Sequence, residues 1–422
     1  MDSINATDAE YARLLKDNPL LPDLWRLRAR TALQYQRNND AIELLKEGLG
    51  HLPEHVALMT DLAHLYLLTK DPISARPIVE TLLKSEENKP EYILNFARLL
   101  WLDGDYEQAL AYFKKALATN SGNSKFALNV AQAYISLGRI KNALELLQSW
   151  RHQSPSGEMM ALLALCEFDV SGMASAYSTV IEGLRMHPLN PTINYLQAVL
   201  LSLSGDPDKA EICIAKVRQD EQVNTQWISF LFARESGRNV RFNGLSSTLL
   251  ASATACAPVT GLVLEFGVYH GLSLCQLAEL TRGPVHGFDS FEGLPENWKS
   301  GEPAGSYSAY GRLPTVPPQA VLHPGWFKDT LPGFVGSQTT EKVRLMHIDC
   351  DLYTSTCTVL KEIYPLLQIG TVIVFDEYLG FPGYEQHEFR AWHEFSDQFC
   401  VGYEYIVFTL MAKKAVLRIT KL

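Results

Sequence analysis

The chain has 422 residues, of which 47% are hydrophobic and 20% charged, and it carries a formal net charge of -10 at pH 7. This length exceeds what one ordinary hydrophobic core supports, so we expect two domains of about 200 residues each. The acidic balance argues against nucleic acid as a partner, because binding a phosphate backbone needs clustered Lys and Arg.

The first residues and the cysteines indicate the compartment. The opening segment MDSINATDAE has no basic region followed by an apolar one, and no run of 18 apolar residues occurs in the sequence. The seven cysteines form no CxxC pair, so we expect reduced, mostly buried thiols and no zinc site. These features predict a cytoplasmic protein without a membrane span.

Small residues recur at a fixed interval in the first half of the chain. Two alanine series each step by 34 residues. This period, with two small residues per unit, is typical of tetratricopeptide repeats, in which paired helices approach closely. Ala198 and Ala210 keep the same separation of 12 residues, so we expect about six units within a domain over residues 1–220. The two series are Ala29, Ala63, Ala97, Ala131 and Ala41, Ala75, Ala109, Ala143.

A solenoid of stacked helix pairs forms a concave surface that usually binds proteins or peptides. The sequence therefore predicts a protein or peptide partner for residues 1–220. Two alternatives stay open, since the sequence does not mark which side chains line the groove. The repeats could mediate homo-oligomer formation, or they could only shape access to the second domain.

The pattern changes in the second half of the chain. From Gly261 onward, short apolar runs alternate with helical stretches, which predicts a parallel sheet covered by helices. The polar segment NVRFNGLSS, residues 239–247, marks the end of a predicted connection, residues 221–245, before a domain over residues 246–422. The expected fold class is α + α/β, a helical solenoid followed by a Rossmann-like domain. The predicted strands are 262–266, 285–288, 343–348, 371–375, 403–410 and 415–420.

The first two of these strands end in acidic residues. Gly267 and Gly271 allow a tight turn between the first strand and a helix, as a nucleotide-like cofactor requires. Glu265 would repel a pyrophosphate but suits the cationic methionine moiety of S-adenosylmethionine. Asp289 can accept hydrogen bonds from both ribose hydroxyls. The alternative is structural, because a strand-to-helix turn also needs glycine and Asp289 could cap a helix.

Five motifs in this half carry a resemblance. In order, EFGVYHGLS, GFDSFEGLP, GWFKDTLP, IDCDLYTST and VIVFDEY resemble the macrocin O-methyltransferase (TylF-type) family of sugar O-methyltransferases, over about residues 240–410. The resemblance implies a class I S-adenosylmethionine-dependent methyltransferase domain, a magnesium-dependent reaction and a sugar hydroxyl as acceptor. It places Trp326 and Phe327 near the adenine, although core packing is an alternative for both. It carries the other cofactor contacts onto Glu265, Gly267, Tyr269, Gly271, Ser273, Asp289, Ser290 and Phe291.

Four more acids, Asp349, Asp351, Asp376 and Glu377, follow two strands that should be neighbours about 5 Å apart. Such carboxylates repel one another, and Mg²⁺ or Mn²⁺ would relieve that repulsion. A set of hydrogen-bonded acids at helix N-termini is the alternative. We predict Asp349, Asp376 and Glu377 as metal ligands, following the resemblance, and Asp349 as the catalytic proton acceptor. The family typically has Asp-Asp-Tyr where this chain has Asp376, Glu377 and Tyr378.

Residues 296–315 are rich in Gly, Ser, Tyr and Pro, and we interpret them as a lid, an acceptor wall or a spacer. His387 and His393 are candidate acceptor contacts. The sequence thus predicts a divalent-metal-dependent O-methyltransferase acting on a sugar or glycosylated acceptor. Two alternatives stay open: a catechol-like diol or peptide acceptor presented by the repeats, and a non-catalytic repeat scaffold with a degenerate methyltransferase domain. The acids at the strand ends argue against the scaffold.

Overall fold

The structure is a computed structural model that describes residues 2–35, 37–153, 155–299 and 301–422. The chain forms two compact units, residues 1–130 and residues 131–422. The second unit therefore contains the later repeats together with the sheet. None of the helices in the described ranges combines the length and the apolar character that a bilayer span requires.

The predicted repeats are confirmed as successive helices. Several helices begin with proline, and in two of them the preceding aspartate, Asp71 or Asp206, accepts a hydrogen bond from a backbone N–H of the first helical turn. The alanines at the 34-residue interval are buried, as close helix packing requires. The helices are α1 (Asp2–Asp17), α2 (Pro22–Gln34), α3 (Asn38–His51), α4 (Val56–Leu68), α5 (Pro72–Ser85), α6 (Pro90–Leu102), α7 (Tyr106–Thr119), α8 (Ser124–Ser136), α9 (Ile140–Trp150), α10 (Gly157–Ser171), α11 (Met173–Met186), α12 (Pro191–Leu203), α13 (Pro207–Ala215) and α14 (Glu221–Glu235).

The second unit contains a mixed eight-stranded sheet in the order β1-β7-β8-β6-β5-β2-β3-β4. Strand β8 is antiparallel to β6 and β7, and the other paired strands are parallel. The predicted Rossmann-like arrangement is confirmed. The strands are β1 (Arg241–Asn243), β2 (Leu262–Phe266), β3 (Val285–Asp289), β4 (Ala320–Pro324), β5 (Val343–Ile348), β6 (Val372–Phe375), β7 (Gly402–Thr409) and β8 (Ala415–Lys421).

Helices cover both faces of this sheet. Side chains alternate between the two faces along each strand, so the strands contribute to a hydrophobic core on each face. On one face, Leu264 and Phe266 pack in a core with residues of the helices after β4, β5 and β6. On the other face, Val263 packs with residues of the two helices that flank β2 in sequence. These helices are α15 (Leu249–Cys256), α16 (Leu272–Thr281), α17 (Phe327–Ser337), α18 (Tyr353–Ile363) and α19 (Glu388–Gln398).

Two strands, β1 and β4, were not predicted, and both lie at the edges of the sheet. Strand β1 pairs with β7 through Arg241 and Val407. The segment predicted as a connection, residues 221–245, contains both α14 and β1. The backbone thus enters the sheet before the predicted methyltransferase domain begins.

Candidate active site

The turn after β2 is fixed by glycine. Gly267 has φ +92°, and a Cβ at this position would lie 1.8 Å from the carbonyl oxygen of Asp349. Gly271 has φ +77° and caps the N-terminus of α16, whose first turn contains Ser273. Both conformations favour glycine, and Gly267 also needs the missing side chain. The turn predicted to bind the cofactor therefore lies directly against the end of β5.

Asp289, at the end of β3, organises this turn. Its Oδ2 accepts hydrogen bonds from the N–H groups of Val268 and Tyr269 at 2.8 Å each, and its Oδ1 accepts one from Phe291 at 2.7 Å. Ser290 Oγ accepts a hydrogen bond from the N–H of Glu292 at 3.1 Å. The structure thus brings the predicted cofactor residues of β2 and β3 together and gives Asp289 a backbone-fixing role that the sequence did not indicate.

The two aromatic residues predicted near the adenine differ in their surroundings. Trp326 precedes α17 and is 37% exposed. Phe327 packs edge-to-face against Phe266, with 5.9 Å between the ring centroids. Phe327 therefore contributes to the core, as the alternative interpretation expected, whereas Trp326 keeps an accessible ring.

A buried chain of polar groups crosses three strands. His347 on β5 has Nδ1 2.9 Å from Glu265 Oε1 and Nε2 3.2 Å from Asp376 Oδ1. Burial alone would lower the pKa of His347, but its hydrogen bonds to Asp376 and Glu265 raise that pKa to about 10. His347 is therefore an imidazolium between two carboxylates. It was not predicted from the sequence, although a histidine in the apolar run VRLMHI was a signal.

Acids crowd the ends of β5 and β6, which pair as predicted through Ile348 and Phe375. Ligand atoms of His347, Asp349 and Asp376 all lie within 4.8 Å of one another. Burial, followed by the charge of Asp376, raises the pKa of Asp349 to about 7. Burial and the charge of Asp349 raise the pKa of Asp351 well above its usual range. The predicted repulsion between carboxylates is thus present.

Two lysines counter part of this charge. Phe375 pairs with Ala415 across β6 and β8, so the residues just beyond them face each other as well. Lys414 Nζ forms an ion pair with Asp376, and Lys413 Nζ forms one with Glu377. Burial would raise the pKa of Asp376, but Lys414 and His347 hold it well below its usual range. Neither lysine was predicted from the sequence.

The predicted metal ligands are brought to one edge of the sheet, but their contacts differ. Asp349 and Asp376 lie together with His347, whereas the Glu377 carboxylate turns to Lys413. Glu377 Oε2 is buried and has no hydrogen-bond partner within the described ranges. A buried carboxylate oxygen without a donor fits a hard divalent cation, as does the nearby Asp349, whose pKa is raised by burial and by the charge of Asp376.

The predicted loop, residues 296–315, contains no helix or strand in its described parts, 296–299 and 301–315. The ring of Tyr307 lies edge-to-face to Tyr269 of the glycine-rich turn, at 6.1 Å. The Nζ atom of Lys299 lies 3.5 Å from the centroid of the Trp298 ring. The Trp298 ring also packs edge-to-face against His387, with 6.0 Å between the ring centroids. The loop therefore contacts the glycine-rich turn through Tyr307 and contacts His387 through Trp298.

His393, the second candidate acceptor contact, lies elsewhere among aromatic groups of α19. Its Nδ1 is 2.8 Å from the carbonyl oxygen of Phe389, and its Nε2 is 3.4 Å from the hydroxyl of Tyr403. Both ring nitrogens thus have partners within the fold. His387 fits an acceptor contact better than His393.

Two family profiles match the chain. Residues 264–378 match a family described as a methyltransferase domain, and residues 32–94 and 100–166 match the tetratricopeptide repeat. The first match runs from β2 past β6, so it includes the glycine-rich turn and the strand ends that carry the acids. The chain therefore combines tetratricopeptide repeats with a methyltransferase domain.

Three curated relatives support the resemblance drawn from the motifs. The chain is 31% identical over 146 residues to 8-demethyl-8-(2,3-dimethoxy-alpha-L-rhamnosyl)-tetracenomycin-C 4'-O-methyltransferase of Streptomyces olivaceus, covering 28% of this chain and 54% of the relative. It is 26% identical over 166 residues to demethyldecarbamoylnovobiocin O-methyltransferase of Streptomyces niveus, covering 33% and 62%. It is 29% identical over 168 residues to mycinamicin III 3''-O-methyltransferase of Micromonospora griseorubida, covering 33% and 64%.

The chain thus spans less than two thirds of the length of each relative. Its predicted similarity to this group of O-methyltransferases is confirmed. Among solved structures, the O-methyltransferase NovP gives a TM-score of 0.32 at 22% identity, covering 42% of this chain and 82% of that one. A thermophilic tetratricopeptide-repeat protein of Thermus thermophilus gives 0.38 at 19% identity, covering 44% and 98%.

Proposed function

We propose that this protein is an S-adenosylmethionine-dependent and divalent-metal-dependent O-methyltransferase that acts on a hydroxyl of a sugar or glycosylated acceptor. The observation that carries the proposal is the position of Asp349. Its backbone touches the glycine-rich turn at Gly267, and its carboxylate lies with Asp376 at the neighbouring strand end. A cofactor side and an acceptor side therefore meet at one residue.

The proposed cofactor side is formed by β2 and β3. Glu265 Oε2 is buried without a hydrogen-bond partner among the described residues, so it can accept a donor from a ligand. Asp289 holds the backbone of the turn at Tyr269, and Trp326 offers an accessible aromatic surface. S-adenosylmethionine, when bound, supplies an electrophilic methyl group. The residues of these two strands orient it.

The proposed acceptor side is formed by the ends of β5 and β6. Oxygen atoms of Asp349, Asp376 and Glu377 would hold Mg²⁺ or Mn²⁺, whose preferred ligands are carboxylates and water. A divalent cation, when bound, supplies Lewis acidity that lowers the pKa of a nearby hydroxyl. Asp349 accepts the hydroxyl proton as the new carbon–oxygen bond forms and the carbon–sulfur bond breaks.

The proposed acceptor class rests on the relatives and on the loop. One relative's name specifies a rhamnosyl substrate group, and all three are O-methyltransferases. The aromatic pair of Trp298 and His387 offers apolar surface to a sugar ring, and Lys299 Nζ, which lies over the Trp298 ring, can donate a hydrogen bond to a sugar hydroxyl. We further propose that the N-terminal repeats bind a protein or peptide partner.

Calorimetry and mass spectrometry test this function. We expect S-adenosylmethionine and its demethylated product to bind with a Kd in the micromolar range, about -8 kcal/mol at 1 μM. Methyl transfer to glycosylated acceptors should stop in EDTA and return with Mg²⁺, while cofactor binding persists. If millimolar S-adenosylmethionine gives neither binding heat nor a thermal shift, the proposed enzymatic function is refuted. Full activity in EDTA would refute the metal alone.

A further inference from the structure

We propose that helix α12 of the repeat region and helix α14, which lies in the predicted connection after it, position the acceptor side of the catalytic site. In this proposal Tyr195, Gln222 and Ser229 are positioning residues for the segment that carries Asp376 and Glu377 and for the turn that carries Lys413 and Lys414. The proposal rests on the function proposed above for those acids. It gives the later repeats a role in the reaction that does not depend on a bound partner.

The first contact is made at Gly380, three residues after Glu377. The N–H of Gly380 donates to Ser229 Oγ at 3.0 Å, and its carbonyl oxygen accepts a hydrogen bond from Gln222 Nε2 at 2.6 Å. Both partners belong to α14. Gly380 has φ +76°, and a Cβ there would lie 2.5 Å from the carbonyl oxygen of Ala412. The segment after β6 is therefore fixed from the helix on one side and from the β7–β8 turn on the other.

The second contact is made at Leu410, at the start of the β7–β8 turn. The Tyr195 hydroxyl, on α12, donates to the carbonyl oxygen of Leu410 at 2.7 Å, and the Tyr195 side chain is fully buried. The N–H of Leu410 donates to the carbonyl oxygen of Asn243 on β1 at 2.8 Å. Both backbone polar groups of Leu410 are thus bound, so the start of this turn is fixed.

The two segments are also tied to each other. The N–H groups of Tyr378 and Leu379 both donate to the carbonyl oxygen of Lys413, at 3.0 and 3.1 Å. The side chains of Lys413 and Lys414 pair with Glu377 and Asp376. A shift of either segment would therefore move the proposed ligands. The cofactor side has a different support, since the glycine-rich turn is fixed by Asp289.

This separation predicts a selective effect. Divalent cations such as Mg²⁺ demand near-ideal octahedral geometry, and loss of groups that orient metal ligands typically costs about 10–100-fold in affinity. Tyr195→Phe or Ser229→Ala in the full chain should weaken Mn²⁺ binding by about 10-fold or more. The same variants should leave binding of S-adenosylhomocysteine unchanged.

The experiment measures Mn²⁺ and S-adenosylhomocysteine affinities by calorimetry, with amide hydrogen exchange of residues 376–380 and 410–414. Tyr177→Phe, which removes a hydroxyl from the neighbouring helix α11, is the matched control. Faster exchange in both segments with selective loss of Mn²⁺ affinity supports the proposal. Unchanged exchange and unchanged Mn²⁺ affinity overturn it, as does equal loss of both ligands. If the parent protein binds neither ligand, the proposed function fails and the exchange rates still decide the positioning role.

Discussion

Asp376 and Lys414 face each other across the antiparallel pair of β6 and β8, one residue beyond the register pair of Phe375 and Ala415, and their side chains form an ion pair. Asp376 is also a proposed metal ligand. Its carboxylate is therefore shared between an internal ammonium and any divalent cation that binds. Lys414 stabilises the metal-free site, because its ammonium group attracts the Asp376 carboxylate. It opposes binding of a divalent cation, because like charges repel at short range.

Replacing Lys414 by methionine should therefore strengthen the binding of divalent cations and destabilise the metal-free protein. We expect Mn²⁺ affinity to rise by about 10-fold, or about 1.4 kcal/mol. In EDTA, the melting temperature should fall, because Asp376 loses a buried counter-charge. Lys421→Met, at the exposed far end of β8, is the control. Calorimetry that shows equal or weaker Mn²⁺ binding for Lys414→Met would contradict this competition.

The second prediction concerns pH and His347. The folded pKa of His347 is about 10, against an ordinary value of 6.5, so the folded state binds its proton more tightly. Its stabilising contribution is fully present below pH 6.5 and is lost as pH rises through about 10. The parent protein should therefore be more stable than His347→Gln near pH 6.

That difference in the free energy of unfolding should narrow between pH 6.5 and 10, with a slope of at most about 1.4 kcal/mol per pH unit. Urea unfolding of both proteins in EDTA measures it, and the variant serves as the reference for the titrating groups that do not interact with His347. A constant difference across this range would show that His347 is not an imidazolium in the folded state.

The third prediction concerns Asp289. Asp289→Ala removes the acceptor for three backbone N–H groups of the cofactor turn, those of Val268, Tyr269 and Phe291. Cofactor binding should weaken by roughly 1–3 kcal/mol, because these donors are left unsatisfied. Asp329→Ala, an exposed acid in the first turn of α17, should leave binding unchanged. Calorimetry with S-adenosylhomocysteine makes the comparison. If both variants bind this ligand with equal affinity, Asp289 does not contribute to the cofactor site.

Local periodicity explains why much of the fold could be predicted. The alanine interval reports close helix packing, which repeats with each unit. Short apolar runs followed by acids report buried parallel strands whose ends lie at one edge of a sheet. The sequence alone therefore predicts that Asp349 and Asp376 lie together, and the pairing of β5 with β6 agrees with this.

The rest depends on pairings between residues far apart in sequence. Lys414 lies 38 residues from Asp376, and only the antiparallel register of β8 brings them together. Tyr195 reaches Leu410 across 215 residues. Strand β1 has three residues and no alternation of buried and exposed positions, so it leaves no periodic signal. These contacts are properties of the folded topology, and no local sequence pattern encodes them.

The last prediction concerns the proposed domain limits, residues 1–220 and 246–422, which divide the second compact unit. Asp169 on α10 accepts hydrogen bonds from the N–H groups of Gly244 and Leu245, at 2.6 and 2.9 Å. Together with the hydrogen bond from Tyr195 to Leu410, these two bonds connect the later repeats to the sheet. A fragment of residues 121–422 should therefore bind S-adenosylhomocysteine like the full chain.

A fragment of residues 236–422 should melt at a lower temperature, because it exposes the surface that α12 and α14 cover and leaves the Leu410 carbonyl oxygen without its buried donor. Thermal unfolding and calorimetry of the two fragments test this directly. Cofactor affinity should fall less than melting temperature, since the residues of β2 and β3 remain in both fragments. Equal melting temperatures would show that the later repeats add nothing to the stability of the sheet, and that the proposed limit near residue 246 separates independent folding units.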